Sequence, residues 1–120
     1  MEINVTKLIG KVLTRFQIID DEEIHITTTE GKRYLMYHDQ DCCESVRVAE
    51  VIGDIEDLLN SPITMAEEET NSEDSTGIEY PDSFTWTFYK FATIKGYITI
   101  RWLGESNGYY SERVDFKQQP

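Results

Sequence analysis

The chain has 120 residues, and its 23 Asp and Glu outnumber its 11 Lys and Arg, giving a formal net charge of −12. That length suits one domain with its own core, and 39% hydrophobic residues, 12% of the chain being aromatic, exclude a disordered acidic chain. The negative charge argues against nucleic acid and anionic membrane as direct partners and favours cations or basic protein surfaces.

Residues 8–19 read as a first strand. Val12, Thr14 and Phe16 alternate with Leu13, Arg15 and Gln17, and Ile18 and Ile19 continue the run. Residues 20–23 form a polar turn and residues 24–27 alternate again. Residues 29–32 make a hairpin turn, and residues 34–37 return as the next strand. Residues 38–44 are a polar loop. Residues 45–51 open as a strand, with Val46 and Val48 on one face, until Gly53 breaks it.

Asp54 then caps a short helix over residues 55–59 by accepting hydrogen bonds from free backbone N–H groups. Glu56 and Asp57 occupy its first turn, where the helix dipole favours negative charge, and Asn60 and Pro62 stop it. Residues 63–66 are a short strand. Residues 67–81 read as a mobile acidic loop.

The last third carries the strongest pattern. Phe84, Trp86 and Phe88 alternate with Thr85, Thr87 and Tyr89, and Ile94-Lys95-Gly96 turns the chain. Ile98, Ile100 and Trp102 alternate with Tyr97, Thr99 and Arg101. Asn107-Gly108 is a favoured dipeptide of tight hairpins, and Tyr110, Glu112, Val114 and Phe116 alternate after it. These three strands are expected to form an antiparallel meander. The whole reads as a single mainly β (α+β) domain: an antiparallel sheet of about six or seven strands with one short helix.

The charge is unevenly spread. Residues 48–89 hold eleven acidic residues and neither Lys nor Arg, so the remaining acids nearly balance the bases. The two cysteines, Cys42 and Cys43, are adjacent, and neighbours seldom bond because the peptide between them constrains the ring. No secretory segment opens the chain, and no apolar run is long enough to span a membrane. A protein of a reducing compartment is expected.

Three segments carry a resemblance. They are Tyr37-His38-Asp39-Gln40-Asp41-Cys42-Cys43-Glu44; then Thr85-Trp86-Thr87-Phe88-Tyr89-Lys90 with Ala92-Thr93-Ile94-Lys95-Gly96; then Gly104-Glu105-Ser106-Asn107-Gly108-Tyr109-Tyr110-Ser111-Glu112. The chain resembles a family of small acidic proteins of unknown function from bacteriophages and prophages, over nearly its whole length. The resemblance implies a viral protein in bacterial cytoplasm and transfers no catalytic residue. Action on host machinery or host defence is the analogy it invites.

Candidate sites follow from residue type. Glu67, Glu68, Glu69, Glu73 and Asp74 have no evident role in a helix cap, so they are a candidate strip for docking on a basic surface; the alternative is a solvated face. Arg101, Trp102, Ser106, Asn107, Tyr109 and Tyr110 could line an aromatic pocket for a nucleotide, completed at a homo-oligomer interface, or simply build a hairpin turn. Trp86, Phe88, Tyr89, Phe91, Tyr97 and Trp102, with Lys90, Lys95 and Arg101 nearby, offer a stacking platform for nucleotides or one face of the core.

His38, Cys42 and Cys43 have metal-ligand chemistry but poor spacing, and the flanking Asp39, Asp41 and Glu44 oppose formation of a reactive thiolate. Glu105 and Glu112 are a weak acid pair. The reading is a non-catalytic, cofactor-free protein that binds and inhibits a host factor through its acidic face. A nucleotide-sequestering protein is the alternative.

Overall fold

The computed structural model describes residues 3–72 and 83–120. Among them are eight strands in two antiparallel four-stranded sheets. The strands are β1 (Leu13–Ile19), β2 (Glu23–Thr28), β3 (Arg33–Tyr37), β4 (Ser45–Ile52), β5 (Met65–Asn71), β6 (Ser83–Thr93), β7 (Gly96–Ser106) and β8 (Asp115–Gln119). The first sheet has the order β1-β2-β3-β8 and the second β4-β7-β6-β5. The mainly β class is as expected; the division into two sheets is a correction to one sheet of six or seven strands.

Alternation explains the hairpins. Asp20 and Asp21 both take positive φ between β1 and β2, a conformation that Asp tolerates better than most residues. Gly31 turns β2 into β3 at φ 81°. The β6–β7 hairpin is the longest, with register running from Ser83 opposite Ser106 to Thr93 opposite Gly96. Its inward residues Tyr89, Phe91, Ile98, Ile100 and Trp102 are fully buried. Across the core they meet Phe16, Ile24, Ile26, Tyr34, Met36 and Phe116 of the first sheet in one cluster. Phe16 and Phe91 join the two sheets edge to face, with ring centroids 5.8 Å apart.

Four expectations are corrected. The first strand starts at Leu13, because Val5–Leu8 is a 3₁₀ turn that buries Val5 and Leu8 completely. The helix after Asp54 is likewise a single 3₁₀ turn, Ile55–Leu58. Asp54 caps it as expected, accepting from the Glu56 N–H at 3.0 Å. The acidic loop is in part a strand: Glu67, Glu68 and Glu69 lie in β5, opposite Lys90, Tyr89 and Phe88 of β6. An edge strand tolerates such polarity because one side has no neighbouring strand to exclude water. Residues 73–81 of that expected loop lie outside the described residues.

The third meander strand does not form either. Gly108 has the expected positive φ, but the chain leaves the second sheet there and β8 pairs with β3 in the first. Burial drives the crossing: Val114 and Phe116 both enter the shared core. Among the described residues no helix is long and apolar enough to cross a membrane.

Candidate functional site

The acidic strip sits on the open edge of the second sheet, where no further strand among the described residues pairs with β5. Glu67, Glu68 and Glu69 are all exposed. Successive side chains of a strand point to opposite faces, so the three carboxylates cover both sides of the edge. Glu69 meets the Lys90 ammonium at 3.4 Å. Glu68 shares the inner face with Tyr89, whose hydroxyl is fully buried and makes no well-formed hydrogen bond among the described residues. Burial first, and the nearby negative charge of Glu68 second, push that phenol well above its ordinary range. Glu73 and Asp74 lie outside the described residues.

A second feature is the crossover from β3 to β4. Here the Glu44 side chain is entirely buried and the His38 side chain nearly so. His38 Nε2 lies 2.8 Å from Glu44 Oε2, and His38 Nδ1 lies 2.7 Å from the Arg113 carbonyl oxygen. Both neighbours accept, so making both bonds requires an N–H at each ring nitrogen. Glu44 also accepts from the Asp41 N–H at 2.9 Å, the Cys42 N–H at 2.8 Å and the Gln40 side-chain amide at 3.2 Å.

Burial alone would raise the Glu44 carboxyl. The hydrogen bond from His38 and those from the loop N–H groups outweigh it and hold the carboxyl down at about 2. Beside this anchor a cleft of about 520 Å³ opens between the Asp20–Glu23 turn and the start of β4, with Tyr37, Gln40 and Arg47 among its walls.

Cys42 and Cys43 are joined to each other by a disulfide, against the expectation for adjacent cysteines. With His38 engaged at both nitrogens and the sulfurs bonded together, these three residues are not arranged as metal ligands. No group of three or more His, Cys, Asp or Glu among the described residues is placed to hold a metal ion.

The six residues of the expected aromatic pocket are not gathered into one cavity. Arg101 lies on the outer face of β7, its guanidinium 4.4 Å from the centre of the Trp86 ring and ion-paired with Glu50. Trp102 follows it and so points the other way. It is wholly buried, and among the described residues its Nε1 has no hydrogen-bond partner. Ser106 donates to Glu112 Oε2, whose other oxygen accepts from Thr85 at 2.8 Å. Asn107 accepts from the Tyr109 N–H at 3.0 Å, and Tyr109, 83% exposed, packs edge to face on Tyr110. Of the expected stacking platform, Trp86 and Phe88 share the outer face while Tyr89 is core.

The sequence reading missed the His38–Glu44 pair as a unit. Its residue types were visible, but the Arg113 carbonyl that orients the ring lies 75 positions away.

A family model described as a domain of unknown function, DUF7448, matches residues 6–116. No curated protein and no solved structure matches the chain. The chain therefore belongs to the DUF7448 family.

Proposed function

We propose that the protein is a non-catalytic binding protein, a phage accessory factor that docks on a basic surface of a bacterial host protein and blocks it. The observation that carries this reading is the open β5 edge. Three consecutive exposed carboxylates sit there, and Lys90 meets one of them. Such a strip attracts a basic partner at long range, and the edge of β5, which pairs with no further strand among the described residues, offers backbone groups for close contact. The host assignment rests on the resemblance to bacteriophage proteins.

The test is capture of partners from bacterial lysate at low and high salt, with the parent chain and with a Glu67→Lys/Glu68→Lys/Glu69→Lys variant. Exposed ion pairs contribute about 0.2–1 kcal/mol each, so losing three weakens binding roughly 3- to 140-fold. The expected partner is retained by the parent at low salt and lost at high salt or with the variant. A partner held equally by both chains at high salt would refute the reading. Thermal shifts with cyclic and linear nucleotides are expected to be nil; a clear shift would favour a nucleotide site instead.

A further inference from the structure

We propose that Cys42 and Cys43 are a reversible thiol–disulfide exchange site that favours neutral or cationic small thiols over anionic ones. Both residues are exposed, so an incoming thiolate reaches either sulfur. The surroundings are acidic. Asp39 and Asp41 precede the pair and line a depression of about 360 Å³, in which Arg113, the one cationic side chain among the described residues that line it, is ion-paired with Asp115 at 3.0 Å.

The exchange balances in two steps. A small thiolate attacks one cysteine sulfur, the Cys42–Cys43 bond breaks, and the other cysteine leaves as a thiolate that takes a proton. A second small thiolate attacks the mixed disulfide and releases the small disulfide and the second cysteine thiol. Two small thiols are oxidised and the protein disulfide is reduced; a small disulfide drives the reverse. Like charges oppose approach of an anionic thiolate reagent such as glutathione, and the same carboxylates disfavour the protein's own thiolates.

The state of the pair reaches the fold through Cys42, whose N–H donates to buried Glu44 at 2.8 Å and whose carbonyl accepts from the Gln40 side-chain amide at 3.2 Å. Reduction frees the local ring and loosens the bond to Glu44, in the loop that carries the chain from one sheet to the other. The site stands apart from the proposed docking on β5.

The experiment uses the full chain. After treatment with a small disulfide, intact mass should fall by two hydrogens per monomer and alkylation should be blocked; a small thiol should restore both cysteines. Reduction rates per thiolate should run cysteamine, then mercaptoethanol, then glutathione, differing several-fold and converging at high salt. Asp39→Asn/Asp41→Asn should narrow the spread. Amide exchange at Cys42 should quicken on reduction. Cysteines that stay alkylatable after the small disulfide would overturn the site. Rates independent of reagent charge would overturn its selectivity, and unchanged Cys42 exchange would overturn its link to Glu44.

Discussion

Replacing Tyr89 by Phe deletes one oxygen from the inner face of β6. The ring is wholly buried and stacks near Phe91, with centroids 6.3 Å apart. The hydroxyl is cut off from water and, among the described residues, makes no well-formed hydrogen bond, although the Glu68 carboxylate lies near enough to act on it. Leaving a buried polar group unpaired costs about 1–3 kcal/mol. The void left by removing the oxygen costs a few tenths of that, at about 24 cal/mol per Å³. Ring contacts survive, so Tyr89→Phe should stabilise the protein by about 1–2 kcal/mol, whereas most core changes destabilise. For a chain of this size each kcal/mol moves Tm by roughly 3–6 °C. Urea unfolding and calorimetry read both quantities. A loss of more than about 1 kcal/mol would refute the reasoning, because it would mean that the hydroxyl donates a bond. Glu68 is the acceptor then implied, and a Glu68 engaged in that way is not free for a partner.

Glu44 sets the acid response. Its folded carboxyl, at about 2, lies below the ordinary value of 4.5, so its stabilising effect is complete above about 4.5 and is lost as pH falls towards 2. Acid unfolding followed by near-ultraviolet dichroism should show that loss, and Glu44→Gln should flatten this part of the profile while lowering stability at neutral pH. Gly104→Ala places a Cβ 2.5 Å from the Glu112 carbonyl oxygen, which is backbone and yields little. It should destabilise by about 1–3 kcal/mol, read by urea unfolding, and increase amide exchange around Glu112.

What the sequence made legible was local. The β6–β7 hairpin announced itself because Phe84, Trp86 and Phe88 alternate with threonines and Gly96 closes the turn. The Asp54 cap was readable because an N-cap needs only its next two or three residues. Only the start of strand β5 was visible, in the short strand expected over residues 63–66; the rest was hidden because a row of glutamates carries no apolar alternation beyond Ala66, and its pairing is supplied by β6. Strand β8 was misplaced because Asn107-Gly108 is equally at home in a hairpin and in a crossing loop. Only the burial of Val114 and Phe116 beneath the first sheet decides between them. Of the candidate site, the charge of Glu67, Glu68 and Glu69 was visible and its place on an open edge was not. The His38–Glu44 anchor was invisible because both of its ends depend on the fold.

The pairing of β3 with β8 also orders events in time. Strand β8 is synthesised after the other seven, yet it covers the β3 edge from Arg33 opposite Gln119 to Tyr37 opposite Asp115. Until residues 115–119 leave the ribosome, the early hairpins expose a bare strand and the apolar face that Phe116 later covers. That interval is when the nascent chain is open to wrong strand pairing and to chaperones, and it lengthens with slower translation of residues 38–114.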